Sequence, residues 1–244
     1  MSERRPDTTF WVEAACVEGD RLTLDREESR HLLRVHRARA GTPFEATDGV
    51  GNTYSCVLES DEDGQALARI TAREVDRGEL RAGLHLLVGL PDLGAAESVV
   101  QHAVPLGVRS IDFTPCERSG RPALGSARLE RLQRLARSGV KQSRRSRLPE
   151  IRSSDSLDRA LALVPPGRRL AADPDGRPLP ADVNGPAQAP ITVAVGPPGG
   201  FTVRERDRLD AGGFQLISLG PSRLTSETAA LALLASVRNL LLHS

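Results

Sequence analysis

The clearest indication of the fold is the sequence Ile191-Thr-Val-Ala-Val-Gly-Pro-Pro-Gly-Gly-Phe-Thr-Val-Arg-Glu205. Its apolar, β-branched beginning is typical of a fully buried strand, and its glycines and prolines are typical of a turn. Thr202, with Glu205 three residues later, has the capping-box pattern that begins a helix. A strand, a glycine turn and a helix in this order indicate a unit of a parallel sheet, where ligands bind beyond the carboxyl end of the strand. A tight turn that binds nothing would have the same pattern.

A second unit of the same kind follows immediately. Residues 214–219 have the composition of another apolar strand, which runs into Gly220-Pro-Ser-Arg-Leu224, and Ser226 begins a last helix. Two such turns after neighbouring strands could form the two sides of one pocket, whose free backbone N–H groups would suit a carboxylate or phosphate. Neither turn has GxGxxG or P-loop spacing, so the pattern specifies no dinucleotide or nucleoside triphosphate. Ordinary helix capping would also explain Ser226.

The two turns close an alternating series of strands and helices that begins after residue 77. Further strands are predicted at 84–90, 110–114 and 170–172, and further helices end near 104 or span 126–142 and 157–163. Buried strands that alternate with helices predict a mostly parallel sheet covered on both faces. The Pro/Gly-rich segment 173–190 is predicted to be a long surface loop within this domain.

The N-terminal part has a different pattern. Four short segments, at 10–14, 43–47, 52–58 and 66–75, have strand composition and are separated by turn residues and one helical segment. That helix is predicted at 25–35, with Asp25 and Glu28 in the positions of a capping box. We therefore predict two domains, a small β-barrel or sandwich at 1–76 and an α/β domain at 77–244.

Composition excludes several classes of protein. The chain has 244 residues, of which 39% are hydrophobic and 27% charged, so it has enough apolar material for a globular core. No apolar run approaches the ~20 residues that span a bilayer, and the first residues do not resemble a signal peptide, so we expect a cytoplasmic protein without a membrane segment. The three cysteines include no close pair, and the five histidines form no ligand-spaced cluster with them. We therefore expect neither a disulfide nor a metal site.

Charge is distributed unevenly along the chain. The formal net charge is only +1, yet residues 117–152 contain eleven basic and three acidic residues. Arg128, Arg131 and Arg134 recur every three residues, and Arg137 and Lys141 continue at helical spacing, so much of this charge shares one helix face. Because the acids of this segment are too few to pair with the bases, we interpret the face as a phosphate-binding surface. A merely solvated face is the alternative interpretation.

Five motifs, in order, resemble one family over nearly the whole chain. The first is His31-Leu-Leu-Arg-Val-His-Arg37, and the second combines Pro105-Leu-Gly-Val108 with Pro115-Cys-Glu-Arg-Ser119. The third combines Lys141-Gln-Ser-Arg-Arg145 with Pro149-Glu-Ile151, and the last two are Gly196-Pro-Pro-Gly-Gly200 and the series Leu219-Gly220, Leu224, Glu227-Thr-Ala229. These motifs are similar to those of the bacterial 16S rRNA uridine-N3 methyltransferases of the E type, which belong to the SPOUT class.

The resemblance implies a PUA-like β-barrel followed by a SPOUT α/β domain with a trefoil knot, whose two glycine turns hold S-adenosyl-L-methionine. It implies 16S rRNA or the small ribosomal subunit as substrate, methylation at N3 of a uridine, and a homodimer formed through the knot helices. The implied cofactor-binding residues are Val195, Gly196, Gly199, Gly200, Leu219, Gly220, Leu224 and Ser226. The implied substrate-handling residues are Arg118, Ser119, Gln142 and Arg145. The RNA-binding candidates are His31, Arg34, Arg37, Arg131, Arg134, Arg137, Lys141 and Arg144.

The chain departs from the family pattern at several positions. Pro198 stands where the family has Glu, Thr225 where it has Arg, and Ser226 where it has Thr; Gln101, Pro105 and Lys141 are further departures. Contacts made by the glycine backbone survive such changes, whereas side-chain roles need not. Two alternatives to the enzyme therefore remain: a catalytically weakened paralogue that binds RNA and cofactor, and a ribosome-assembly factor that acts through the basic face alone. The last helix is the expected dimer interface, through Ala229, Ala230, Leu233, Leu234, Val237 and residues 240–242, unless these residues pack against the sheet instead.

Overall fold

The computed structural model describes residues 8–180 and 189–242, which divide into two compact units. The first unit extends to Glu79 and also includes Arg137–Leu148. The second unit comprises Leu80–Ala136 and the chain from Pro149 onward. The predicted boundary near residue 77 thus lies close to the end of the first continuous segment, but the return of Arg137–Leu148 to the first unit has no counterpart in the sequence pattern.

The first unit is built on a six-stranded sheet. Its strands are β1 (Thr9–Trp11), β2 (Val17–Glu18), β3 (Arg21–Thr23), β4 (Pro43–Thr47), β5 (Asn52–Glu62) and β6 (Gln65–Val75). They lie in the order β1-β4-β5-β6-β3-β2, with β1 parallel to β4 and the other pairs antiparallel. Buried side chains such as Phe10, Leu22 and Phe44 form its core. The strands β2 and β3 were not predicted, because segments of two or three residues are too short to show alternation.

The helix of this unit begins as predicted but is capped differently. Helix α1 (Arg26–Arg30) continues into a single π-turn at His31–Val35, and the Asp25 carboxylate accepts a hydrogen bond from the Glu28 backbone N–H at 2.8 Å. The Glu28 carboxylate does not complete the capping box. It is buried, accepts from the Trp11 backbone N–H at 3.2 Å and pairs with the ammonium of Lys141. The predicted N-cap at Asp25 is confirmed, but Glu28 does not complete the predicted capping box, because a distant cation and a strand amide bind its carboxylate instead.

The second unit is a parallel sheet with helices. The strands are β7 (Leu84–Gly89), β8 (Val108–Thr114), β9 (Glu150–Ser153), β10 (Arg168–Pro178), β11 (Ile191–Val195) and β12 (Gln215–Ser218), in the order β12-β10-β11-β7-β8-β9. Every adjacent pair is parallel. The helices are α2 (Leu93–Ala103), α3 (Ser126–Ser143), α4 (Leu157–Ala162), α5 (Val203–Ala211) and α6 (Ser226–Leu242). Helix α3 begins in this unit, and its residues from Arg137 onward belong to the first. The predicted class, a β domain followed by a parallel α/β domain, is confirmed.

Strand β10 corrects the prediction of a surface loop at 173–190. The strand continues to Pro178, with an irregularity in its pairing with β12 between Ala172 and Arg177. A Cβ at Gly176 would lie 2.5 Å from the Ile217 backbone N, so the absence of a side chain permits this close approach. The Pro/Gly content of the segment reflects an irregular strand here. Residues 181–188 of the predicted loop lie outside the described residues.

Candidate active site at the carboxyl edge of the parallel sheet

Three loops meet where the central strands of the second unit end. Since β11, β7 and β8 are adjacent and parallel, their carboxyl ends lie at one edge of the sheet. The first glycine turn, residues 196–200, follows β11, and the β8 loop, residues 115–119, follows β8. Gly89 ends β7, and a Cβ there would lie 2.5 Å from the N and Cδ atoms of Pro197. Only glycine at this position lets the first glycine turn lie against the end of β7.

The second glycine turn, residues 220–224, is connected to the first through Ser226. Ser226, the first residue of α6, is buried, and its hydroxyl donates a hydrogen bond to the Gly196 carbonyl at 2.8 Å. This contact shows that Ser226 does more than cap a helix, because its side chain joins the start of α6 to the first turn. The two turns that the sequence places after separate strands are thus linked at one edge of the sheet.

The edge has features that suit a bound ligand. Gly200 and Gly220 have φ values of +71° and +110°, a backbone conformation that favours glycine. A Cβ built on either residue meets nothing within 4 Å, so open space adjoins both turns. The hydroxyl of Thr114, at the end of β8, is buried without a hydrogen-bond partner among the described atoms. A ligand that contacts backbone and supplies one polar group would fit these residues.

Arg118 and Ser119 lie on the β8 loop beside the first glycine turn. The Arg118 guanidinium donates to the Gly199 carbonyl at 2.8 Å, and the Ser119 hydroxyl accepts from the Cys116 backbone N–H at 3.0 Å. Arg118 is otherwise exposed. The structure therefore brings these two predicted substrate-handling residues to the same edge as the predicted cofactor residues.

Glu205 also contacts the β8 loop, and the sequence pattern did not reveal this contact. The predicted capping box at α5 is confirmed: the Thr202 hydroxyl accepts from the Glu205 N–H at 3.3 Å, and Glu205 Oε2 accepts from the Thr202 N–H at 2.8 Å. Its other oxygen, Oε1, accepts from the Glu117 backbone N–H at 2.8 Å. Burial, and then the charge of Glu205, raises the pKa of Cys116 well above its usual value. A partly buried thiol with a raised pKa is a packed side chain and not a nucleophile.

The other two predicted substrate-handling residues, Gln142 and Arg145, belong to the first unit. The Arg145 side chain is 2% exposed and pairs with the 1% exposed carboxylate of Glu79 at 2.6 Å. Glu79 also accepts from the backbone N–H groups of Ser146 and Arg147. This burial argues against the predicted contact of Arg145 with a nucleotide, because its guanidinium is committed to a carboxylate inside the unit. Gln142 is exposed.

The premise that the basic segment lacks acidic partners was wrong. Arg131 binds Glu97 through two contacts of 2.5 and 2.9 Å, and Lys141 pairs with Glu28. Arg137 pairs with Glu13 and Asp25, and its guanidinium lies 4.4 Å from the ring centroid of Trp11. These acids come from distant parts of the chain, so counting charges within the segment missed them. Arg128 and Arg134 are exposed and have no ion pair among the described residues.

Apart from Arg144, which follows α3, the remaining RNA-binding candidates lie on or near the π-turn of the first unit. The rings of His31 and His36 are 4.8 Å apart and both contact Phe10. Burial and the neighbouring His31 lower the pKa of His36. Arg34 is exposed and lines a groove of about 290 Å³, whose other lining residues include Leu33, Arg39, Leu58 and Asp61. Arg37 and Arg144 are exposed, at φ values of +55° and +57°.

The described residues lack two features of other classes of protein. No helix within 8–180 and 189–242 is long and apolar enough to cross a membrane. The same ranges contain no group of three His, Cys, Asp or Glu side chains placed to hold a metal ion.

A parallel sheet with two linked glycine turns at its carboxyl edge, preceded by a β unit, is the two-part architecture that the resemblance to the SPOUT class implies. The chain belongs to the RNA methyltransferase family. The model of the RNA methyltransferase domain matches residues 79–238, and that of the RNA methyltransferase PUA domain matches residues 24–71. These matches confirm the family resemblance and the PUA-like character of the first unit.

Curated relatives and solved structures agree with this assignment. The chain is 29% identical to ribosomal RNA small subunit methyltransferase E of Synechocystis sp., over 90% of this chain and 73% of the relative. It is 27% identical to the protein of that name from Mycobacterium tuberculosis, over 93% and 90%. The Neisseria gonorrhoeae enzyme of that name, solved bound to S-adenosyl methionine, matches with a TM-score of 0.82 at 26% identity, covering 96% of this chain and 97% of that one. A probable rRNA-methyltransferase from Porphyromonas gingivalis matches with a TM-score of 0.83 at 28% identity, covering 97% and 99%.

Proposed function

We propose that this chain is an S-adenosyl-L-methionine-dependent methyltransferase that modifies N3 of a uridine in 16S rRNA of the small ribosomal subunit. The hydrogen bond from Ser226 to Gly196 is the observation that carries the proposal, because it joins the two glycine turns beside open space. The names of the curated relatives support small-subunit rRNA as substrate, and the Neisseria structure supports the cofactor.

The cofactor would be held mainly by backbone groups. Both glycine turns present backbone at the sheet edge, and the departures Pro198 and Thr225 have exposed side chains that leave these backbone positions in place. The proposed contacts are those of Val195, Gly196, Gly199, Gly200, Leu219, Gly220, Leu224 and Ser226. When bound, S-adenosylmethionine supplies a methyl group on a positively charged sulfonium.

The chain itself would orient the uridine and favour loss of its N3 proton. Because transfer requires N3 to lie in line with the methyl group, positioning accounts for much of the rate. Arg118 has the charge to stabilise the negative charge that develops on the uracil oxygens, and its contact with Gly199 holds it beside the first glycine turn. Ser119 is the second proposed contact on the same loop.

The RNA backbone would be bound by arginines without carboxylate partners. Arg34, Arg37, Arg128 and Arg134 are exposed and meet this condition among the described residues. Arg131, Arg137 and Lys141 would contribute less, since each already faces a carboxylate.

The experiment that tests the function is transfer of a tritiated methyl group to small subunits from a strain that lacks uridine-N3 methylation. We expect stoichiometric labelling that maps to N3 of one uridine. Cofactor binding in a calorimeter without transfer would favour the weakened paralogue, and absence of cofactor binding would favour the assembly factor.

We also propose a homodimer formed through part of α6. Ala230, Leu233, Leu234 and Val237, which the sequence assigned to the interface, are buried within the single chain. Ala229 and residues 240–242 remain partly or fully exposed and are the proposed contact. Sedimentation equilibrium should give twice the 26.2 kDa mass of the chain, and Leu241→Arg should shift the protein toward the monomer. A wild-type monomer at tens of micromolar would contradict the proposal.

A further inference from the structure

The β8 loop, residues 115–119, contacts two neighbouring segments: the first glycine turn and helix α5. Arg118 donates to the Gly199 carbonyl at 2.8 Å, and a Cβ at Gly199 would lie 2.9 Å from the Arg118 Cβ. The loop therefore packs directly on the backbone of the turn. Any movement of the loop would displace Arg118 and Ser119 relative to the proposed cofactor site.

The second contact comes from Glu205, whose carboxylate accepts one more backbone hydrogen bond than a helix cap requires. A capping box uses one carboxylate oxygen, and here Oε2 accepts from the Thr202 N–H at 2.8 Å. Oε1 accepts from the Glu117 N–H, 88 residues away in sequence, also at 2.8 Å. Glu205 is 1% exposed, so both bonds form where water cannot replace them.

We infer that Glu205 is a positioning residue for methyl transfer: its buried carboxylate fixes the β8 loop, with Arg118 and Ser119, against the first glycine turn. Glu205 does not contact the substrate in this role. It acts through the Glu117 amide, which lies next to Arg118 in the chain. The inference rests on the proposed function for its catalytic consequence, whereas its structural consequence, a fixed loop, can be measured without activity.

Two variants separate the positioning role from capping. Glu205→Gln keeps the size of the side chain but replaces one acceptor oxygen with an NH₂ group, so it cannot accept both N–H groups on separate oxygens. Thr202→Ala removes the side-chain half of the cap and leaves the carboxylate of Glu205 with both of its bonds. If Glu205 only stabilised α5, the two variants would behave alike.

The measurements are steady-state methyl transfer to hypomethylated small subunits and hydrogen exchange at the Glu117 amide, both on the full chain. For Glu205→Gln we expect kcat to fall by up to about 100-fold, since misplacement by about 1 Å has that effect. We also expect faster exchange at Glu117 and nearly unchanged cofactor affinity in a calorimeter. Thr202→Ala should keep kcat and the exchange rate of Glu117 close to those of the wild type.

Equal losses of kcat in the two variants, or unchanged exchange at Glu117 in Glu205→Gln, would overturn the inference. If the wild-type protein transfers no methyl group at all, the proposed function fails, and hydrogen exchange still decides whether Glu205 fixes the loop. Should Glu205→Gln prove too unstable to assay, Glu205→Asp, which retains the charge on a shorter side chain, should give the same faster exchange at Glu117. Wild-type exchange in that variant would count against the inference.

Discussion

At the scale of single residues, the burial of an ionisable side chain decides between the roles that the sequence left open for Arg145. Arg145 matches a family motif and was predicted to contact the substrate, yet its guanidinium lies inside the first unit against Glu79. A motif match shows that a side chain is needed at a position, but does not distinguish a role in binding from one in packing. Here the burial of the Glu79 carboxylate against Arg145 indicates a packing role.

The Arg145–Glu79 pair should be essential for stability. Arg145→Met would leave the Glu79 carboxylate buried without its cation, and we expect a loss of about 3–5 kcal/mol in the free energy of unfolding. The double variant Arg145→Met/Glu79→Gln should be less destabilised, because it buries no unpaired charge. Arg128→Ala, at an exposed residue without an ion pair among the described residues, is the control and should change stability by about 0.5 kcal/mol or less. Urea unfolding would measure these changes. If Arg145→Met were as stable as Arg128→Ala, the result would contradict this role of the pair.

His85 predicts how stability depends on pH. Burial, and then the charges of Arg152 and Arg109, lowers its pKa from 6.5 to about 4, and its Nδ1 lies 2.8 Å from the Ser110 hydroxyl. Since the unfolded chain binds this proton more readily, the contribution of the neutral ring is present above pH 6.5 and is lost as the pH falls toward 4. The loss should amount to up to about 3 kcal/mol. Urea unfolding at about pH 7 and about pH 4.5, on either side of the ordinary histidine pKa, should show a smaller acid loss in His85→Gln, and an identical loss would refute this assignment.

At the scale of elements, α3 shows how charge along a helix is divided between structure and surface. Its bases recur at helical spacing, as predicted, but Arg131, Arg137 and Lys141 are bound to acids from other segments. Only part of the predicted phosphate-binding face is therefore available to a ligand. The glycine turns differ from α3, because their interpretation did not depend on distant contacts. Their residue types alone predicted where backbone could face a ligand.

Replacement of the unpaired arginines of α3 should weaken RNA binding. For Arg128→Ala/Arg134→Ala we expect the slope of log affinity against log salt concentration to become shallower by about 1 to 2 units, because each arginine that is removed leaves one phosphate without its cation. Cofactor affinity should stay unchanged. Arg131→Ala is the matched control, since its guanidinium is bound to Glu97. Filter binding across a salt series measures the slopes, and an equal or larger change in Arg131→Ala would contradict the division.

At the scale of the whole molecule, the sequence predicted much of the architecture. The strand Ile191–Val195 and the helix Ser226–Leu242 lie where their patterns placed them, because long apolar runs and caps are local signals. The pairing of Lys141 with Glu28 was not predictable, since the two residues are 113 positions apart and only the fold brings them together. The second hydrogen bond of Glu205 and the extension of β10 depend on such distant contacts too. The formal net charge of +1 therefore indicates neither the ion pairs that the fold forms nor the exposed arginines that have no ion pair among the described residues.

We propose above that the edge formed by the two glycine turns and the end of β7 binds S-adenosylmethionine. Calorimetric titration of the wild type, of Gly89→Ala and of Gly125→Ala tests it most directly. A Cβ at Gly89 would force Pro197 and the first glycine turn to move, whereas a Cβ at Gly125 meets nothing within 4 Å. We expect one bound cofactor per chain for the wild type and Gly125→Ala, and at least about tenfold weaker binding for Gly89→Ala, as a loss of about 1.4 kcal/mol would produce. Equal affinity in all three proteins, or no binding by the wild type, would contradict it.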